Sequence, residues 1–284
     1  DIAEREAILA LHGTNKPLDY AIDIRRVAVR TPGFSGADLA NIMNESAIIA
    51  ARRGEKTIHQ EDLYEAIEKV LLGPSRRGRL ITDKERSLTA YHEAGHALVA
   101  ASLKDSDPIH KISIVSRGRT GGFTLKLPLE EQRLKTRSQF LADLAMTLGG
   151  YAAEKIVFGD ISTGASNDLR QASDIARSLV TRFGMSEKVG PIAFGKTEEL
   201  IFLGREITTE KNYSEESAAL IDSEVRRFID TAHRSAIRIL TTRRETLKVI
   251  AETLIERETL EGDEFYALIA QANAPAPVTS LPSA

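Results

Sequence analysis

Two histidines four residues apart constrain the fold and the chemistry of this chain more than any other feature. His92 and His96 stand in a segment of helix-forming residues, and on an α-helix side chains at this spacing project from the same face, one turn apart. Glu93 follows the first histidine and can reach an ion that both rings hold. Since imidazole nitrogens bind zinc, the pattern indicates the layout of a zinc hydrolase site on one helix.

The ends of this helix are marked in the sequence. Thr82 and Glu85 have the spacing of a capping box, which predicts the first turn, and the Asp-Ser-Asp-Pro segment at residues 105–108 predicts the end. Gly95 lies in the middle, where a glycine costs about 1 kcal/mol of helix stability relative to alanine. We therefore expect another part of the chain to approach this face closely.

Composition narrows the class of protein and the kind of metal site. The 284 residues include no cysteine, which excludes disulfides, thiolate zinc sites and cysteine nucleophiles, so any further zinc ligand must be His, Asp or Glu. A net charge of -3 and an aromatic content of 5% give neither the basic surface nor the stacking residues of a nucleic-acid binder. We therefore expect no nucleic-acid partner.

The hydropathy of the chain indicates its solubility, and its first residues indicate its relation to a longer protein. No run of about 18 or more apolar residues occurs, so we expect the chain as given to be soluble. The sequence starts at Asp1, within a helical pattern and without an initiator methionine. We therefore expect it to be a fragment of a longer protein.

Hydrophobic periodicity predicts a mainly α fold with a short β-sheet, divided into two domains. Helical patterns fill residues 1–73, and a linker of Pro, Ser, Arg and Gly follows at residues 74–79. We expect the second domain at residues 80–272. Residues 273–284 form a Pro-rich tail, which we expect to be disordered.

Within the second domain, alternating apolar residues predict strands at residues 111–115 and 123–127, joined by a glycine-rich turn. Helical periodicity predicts one helix over residues 138–157, and its Gly149-Gly150 pair predicts a close helix crossing. Residues 214–257 have the pattern of two long amphipathic helices, and residues 261–272 that of a last helix.

The third ligand of a zinc site is less clear from the residues alone. A catalytic zinc ion normally has three protein ligands and one open position. Asp168 begins a helix behind a loop of small residues, which lets the backbone come close to an ion, and Asp174 on the same helix is an alternative. An Asp in a first helical turn is also stabilised by the helix dipole without any metal. The remaining histidines fit solvated or core positions better; they are His12, His59, His110 and His233.

Several longer segments resemble, in order, hallmark stretches of the FtsH-type ATP-dependent zinc metalloproteases. The three longest are residues 31–41, 91–97 and 162–169, and shorter ones are residues 184–187, 202–205 and 258–260. The similarity runs from about residue 1 to residue 270. Because the motifs are long and keep the order of the family, the resemblance is specific.

The resemblance implies roles for individual positions. His92 and His96 match the two zinc-binding histidines, Asp168 the third ligand, and Glu93 the general base. The first domain resembles the helical lid of an AAA+ ATPase module, and the second a largely helical peptidase domain. The strand at residues 123–127 resembles the edge strand along which an extended substrate is laid.

The resemblance also implies partners and a location. Members of this family form homo-hexameric rings and degrade unfolded or unneeded proteins, including membrane proteins. This sequence contains no glycine-rich phosphate loop and no membrane-spanning segment, so we expect ATP and Mg²⁺ to act, and a membrane to be reached, only in the full-length protein. The parent protein would lie in a bacterial inner membrane with the peptidase in the cytoplasm, or in an organelle membrane of bacterial descent.

Three alternatives belong to other functional classes. The chain could be a catalytically silent scaffold paralogue of the same ring, but both histidines, Glu93 and Asp168 are all retained. An ATP-binding regulatory module is disfavoured by the missing phosphate loop. A helical adaptor with an accidental motif is disfavoured by the ordered set of resembling segments.

Overall fold

Helices dominate the fold, as the sequence predicts, and they accompany one small sheet. The computed structural model describes residues 1–74, 82–118, 121–127, 134–194 and 213–273. In these ranges the helices are α1 Ile2–Gly13, α2 Ile24–Val29, α3 Gly36–Arg52, α4 Gln60–Leu72, α5 Asp83–Ala101, α6 Arg137–Thr147, α7 Gly149–Phe158, α8 Ser166–Thr181, α9 Glu215–Thr242, α10 Arg244–Arg257 and α11 Gly262–Asn273. The strands are β1 Ile109–Ser113, β2 Phe123–Lys126 and β3 Thr259–Glu261.

Short polar side chains fix the starts of the helices. Ser35 caps α3 and Thr82 caps α5, each in a capping box with the residue three positions later, and the start predicted at Thr82 is confirmed. Thr136 caps α6 in the same way. Ser214 caps α9, where the first of the two long helices is predicted. Local hydrogen bonds therefore determine where these helices begin.

The buried apolar residues form two separate clusters. Helices α1 to α4 enclose the first, which includes Leu9, Leu39 and Leu63. The second cluster surrounds α5 and takes in residues from α6 to α11 and from the sheet. Helix α5 lies at its centre, since almost every side chain from Ala90 to Ala100 is buried. The helix with the paired histidines is thus held from several sides.

A close crossing of α5 and α7 confirms the expectation raised by the glycines. A Cβ atom added at Gly95 would lie 2.5 Å from the carbonyl oxygen of Gly149 and 2.6 Å from the Cβ of Ala153. A Cβ at Gly149 would lie 2.7 Å from the carbonyl oxygen of Gly95. All three separations are too short for a side chain, so the two backbones touch only because both residues are glycine.

The prediction of a single helix over residues 138–157 is wrong. The structure has two helices there, and the chain turns at Leu148, which has φ -86° and ψ 0° and ends α6. Periodicity did not reveal this turn because both helices bury apolar faces in the same core. The turn places Gly149 at the start of α7, against Gly95 of α5.

The sheet contains one strand that sequence reasoning missed. Strand β1 begins two residues earlier than predicted and ends at Ser113, and β2 agrees closely with its prediction. Strand β3 has only three residues, too few for an alternating pattern to identify. The order is β2-β1-β3 with both pairs antiparallel, so among the described strands β2 lies at an edge of the sheet.

Some predictions concern regions outside the described residues. The predicted linker and tail fall largely on residues 75–81 and 274–284, and the described part of the chain ends before the latter range. The domain boundaries therefore stay predictions. None of the described helices combines the length and the apolar character that crossing a membrane requires.

Candidate metal centre

The two histidine rings of α5 converge on one point. His92 and His96 are buried, with 8% and 7% of their surface exposed, and their Nε2 atoms lie 3.0 Å apart. Both histidines lie on the same face of the helix because four residues make slightly more than one turn. The buried, inward-facing nitrogens form one side of the candidate site.

Helix α8 brings a carboxylate to the same point. A short 3-10 turn, Thr163–Ala165, leads into α8, and Asp168 lies in the first turn of that helix. Its Oδ2 atom lies 3.0 Å from Nε2 of His92 and 3.5 Å from Nε2 of His96. Among the described residues these three side chains could hold a metal ion together.

The other candidate ligands lie elsewhere. Asp174 is exposed on α8 and lines an open groove with Phe140 and Asn167, away from the paired rings. Within the described ranges, no other histidine joins the cluster. The tertiary structure thus favours Asp168 over Asp174 as the partner of the two histidines.

The far side of each ring is held by a hydrogen-bond acceptor. Nδ1 of His92 lies 2.7 Å from Oε1 of Glu154, and Nδ1 of His96 lies 2.8 Å from the carbonyl oxygen of Met146. Because each Nδ1 donates to its acceptor, the Nε2 atom of each ring has a lone pair free to bind a metal when the ring is neutral. The second oxygen of Glu154 accepts the N–H of Ser162, so this carboxylate also fixes the loop before α8.

Sequence reasoning missed Glu154. It lies on α7, is fully buried, and follows two buried alanines, Ala152 and Ala153. A charged residue on the buried face of a helix needs a partner, and this misfit was the available signal. Burial raises the pKa of the Glu154 carboxyl, but its contacts with His92 and Ser162 outweigh burial, so the pKa lies below its usual value.

The geometry fits a zinc ion. Two ligand atoms of a tetrahedral zinc site lie about 3.3 Å apart when each bond is about 2.0 to 2.1 Å. The three separations observed between the two Nε2 atoms and Oδ2 are 3.0, 3.0 and 3.5 Å. Three acceptors at this distance repel one another unless a cation or a proton lies between them. Gly150 backs the site, since a Cβ there would lie 2.6 Å from both Nε2 atoms.

Without a metal, the site would hold a proton. Burial lowers the pKa of His92, but Asp168 and Glu154 on its two sides outweigh burial and raise the pKa from 6.5 to about 10. Burial raises the pKa of the Asp168 carboxyl, but the two histidine rings outweigh burial and hold this pKa well below its usual range. The metal-free cluster therefore pairs a carboxylate with an imidazolium at neutral pH.

We expect zinc binding to release about one proton per ion at pH 7, because a ring must be neutral to bind the metal. The pKa of His92, about 10, lies above this pH, so the ring starts protonated and affinity for zinc falls as the pH falls. Titration calorimetry in Pipes and in Hepes, which bind zinc weakly and differ in their heats of ionisation, measures the protons released. Equal heats in the two buffers would contradict this charge state.

Glu93 is not one of the three groups of the cluster, but it is close enough for its carboxyl to interact electrostatically with all three. It is buried, with 6% of its surface exposed, and its Oε2 accepts a hydrogen bond of 2.7 Å from Oγ1 of Thr124 on β2. Burial raises the pKa of this carboxyl, although His96, His92 and Thr124 oppose the shift. Sequence reasoning identified Glu93 but missed Thr124, which becomes its neighbour only when β2 packs on α5.

Comparison with known proteins identifies two sequence families along the chain. The pattern of peptidase family M41 matches residues 79–268, and that of the AAA+ lid domain matches residues 21–65. The two matches follow the order predicted for a lid and a peptidase domain.

Similar full-length proteins come from several bacteria. The chain is 52% identical over 268 residues to ATP-dependent zinc metalloprotease FtsH 1 of Sphaerobacter thermophilus, covering 94% of this chain and 41% of the relative. It is 53% identical to the protein of the same name from Thermomicrobium roseum, with the same coverage. Identity to ATP-dependent zinc metalloprotease FtsH of Bacillus subtilis is 45%, over 97% of this chain and 43% of the relative.

The chain spans about two fifths of the length of these relatives. The part that matches the M41 pattern includes the helices with His92, His96 and Asp168. Because this pattern matches more than half of the 284 residues, the chain belongs to peptidase family M41, the family of the FtsH metalloproteases.

Proposed function

We propose that this chain is the proteolytic part of a zinc-dependent endopeptidase that cleaves unfolded polypeptides. One observation carries the proposal: three buried acceptor atoms, from His92, His96 and Asp168, converge with the separations of a tetrahedral zinc site. The carboxylate of Glu93 interacts electrostatically with these three groups without belonging to the cluster. These are the parts that a zinc hydrolase requires.

In this proposal His92, His96 and Asp168 hold the zinc ion, and Glu93 is the general base. A bound zinc ion supplies Lewis-acid chemistry, which polarises the scissile carbonyl and makes a water molecule a stronger acid. Glu93 takes a proton from the attacking water and passes it to the leaving amine. Glu154 and the carbonyl oxygen of Met146 keep the two rings oriented throughout.

The substrate would lie along β2. The sheet order leaves the outer edge of β2 without a partner among the described strands, so its backbone groups can pair with an extended peptide. Binding through backbone hydrogen bonds depends little on sequence and requires an extended chain. This supports a preference for unfolded proteins, with Glu93 on the helix directly behind the strand.

The activity of the whole protein is proposed from its relatives. Their names describe ATP-dependent zinc metalloproteases, and this chain carries a match to the AAA+ lid. We propose that the full-length protein uses ATP with Mg²⁺ to deliver substrates to this peptidase. A homo-hexameric ring at a bacterial inner membrane, with the peptidase in the cytoplasm, fits the same family.

Zinc content and proteolysis test the proposal together. We expect about one zinc ion per chain by mass spectrometry, and slow cleavage of casein that needs no ATP and that a chelator abolishes. Casein suits the test because it is already unfolded. Purified protein that lacks zinc would contradict the site, whereas zinc-loaded protein that leaves casein intact in a hexameric ring would support the silent scaffold paralogue.

A further inference from the structure

Thr124 makes the contact that joins the sheet to the proposed general base. Its Oγ1 lies 2.7 Å from Oε2 of Glu93 and 3.3 Å from the backbone carbonyl oxygen of the same residue. A hydroxyl has one proton to donate, and the shorter contact to a charged acceptor is the stronger bond. The carboxylate is therefore held by a side chain of the edge strand β2.

The two oxygens of Glu93 have different surroundings. Thr124 provides the only hydrogen bond to this carboxylate within the described ranges. Oε1 faces Gly122, where an added Cβ would lie 3.0 Å from it. The glycine leaves room beside Oε1, so one oxygen is anchored while the other can accept a proton.

The position of the hydroxyl is fixed by the backbone. Thr124 pairs with Ile112 across the β1–β2 ladder, and Ile112 is fully buried. A β-branched side chain in a strand has few χ1 rotamers, so the sheet determines where Oγ1 lies. The Glu93 side chain has more rotatable bonds and would be free to turn without this partner.

We propose that Thr124 is a positioning residue for proteolysis: its hydroxyl anchors Oε2 of Glu93 and so aims Oε1 at the attacking water. The inference rests on the proposed function, in which Glu93 is the base and β2 binds the substrate. Because one strand would hold both the base and the peptide backbone, their separation is set by β2 itself. A misplacement of about 1 Å can cost about 100-fold in rate, so holding the base and the peptide on one strand affects the rate of cleavage.

The test compares three variants of the zinc-loaded protein. Thr124→Val keeps the shape and removes the donor, Thr124→Ala removes it in a smaller side chain, and Thr124→Ser restores it. For cleavage of an unfolded peptide we expect Thr124→Val and Thr124→Ala to lower kcat by about 10- to 100-fold, because the efficiency of a general base depends on its position. KM and zinc content should change little. Thr124→Ser should recover most of the original kcat.

A matched control is Thr253→Val on α10, whose hydroxyl donates to the backbone carbonyl oxygen of Val249 in the same helix. It should leave kcat unchanged. Crystal structures give a readout apart from activity: the Glu93 carboxylate should turn away from its original direction in Thr124→Val and keep it in Thr124→Ser. These results together would support the positioning role.

Other results would overturn it. If kcat is unchanged in Thr124→Val and Thr124→Ala, or if only KM rises, Thr124 does not act through the base. Loss of kcat in all three variants alike, with no rescue by Ser, would show that only packing matters. The proposed function is judged separately, by zinc and cleavage in the unaltered protein, so its failure is distinguishable from failure of this inference.

Discussion

Replacing Glu93 with glutamine should reduce peptide cleavage by about 1,000-fold or more while leaving zinc bound. General-base catalysis contributes about 100- to 10,000-fold, and a glutamine amide accepts no proton at neutral pH. The metal should stay because Glu93 lies outside the three-group cluster. The fold should stay because the amide oxygen can still accept the hydrogen bond from Thr124.

The measurement is kcat/KM for casein or a quenched fluorescent peptide, with zinc counted by mass spectrometry on the same sample. Glu256→Gln makes the same chemical change at an exposed position of α10 and should behave like the unaltered protein. Cleavage by Glu93→Gln at the original rate would refute the role of base. Loss of zinc would instead place Glu93 among the ligands.

Asp168→Asn should weaken zinc binding strongly, because the change removes the charged acceptor that lies 3.0 and 3.5 Å from the two Nε2 atoms. Loss of an outer partner of a ligand costs about 10- to 100-fold in metal affinity, and loss of a direct ligand should exceed that. Cleavage should fall with the zinc occupancy. Competition with a chelating dye measures the affinity, and added zinc should restore part of the activity.

The same helix offers a matched control. Asp174→Asn makes the same change six residues further along α8, at an exposed position that the cluster does not include. It should keep the original zinc affinity. If Asp168→Asn retains full affinity and Asp174→Asn loses it, the arrangement of the site proposed from these distances is wrong.

Local signals in the sequence predicted the local structure well. The cap at Thr82 is confirmed, because a capping side chain bonds to a backbone N–H only three residues away. Gly95 and Gly149 each predicted the close approach of another part of the chain, and the structure shows that the two glycines contact each other. The turn at Leu148 and the short strand β3 were missed, because neither interrupts the hydrophobic pattern over enough residues.

The candidate site likewise combines residues that local signals identify with residues that they miss. His92, Glu93 and His96 could be identified together because their geometry follows from the pitch of one helix. Glu154 and Thr124 lie 62 and 31 residues away from their partners in the sequence, and nothing local marks them as neighbours. Their contacts exist only because α7 and β2 pack against α5.

The sequence by itself determined a mainly helical chain with a paired-histidine helix, a carboxylate beside it, and no cysteine to compete for zinc. Spacing left Asp168 and Asp174 open as partners of the histidines, and only the tertiary structure separated them. Both lie on α8, but packing turns Asp168 toward α5 and leaves Asp174 exposed. The reason is physical: helical periodicity fixes which residues share a face, whereas the burial of apolar surface between helices decides what that face meets.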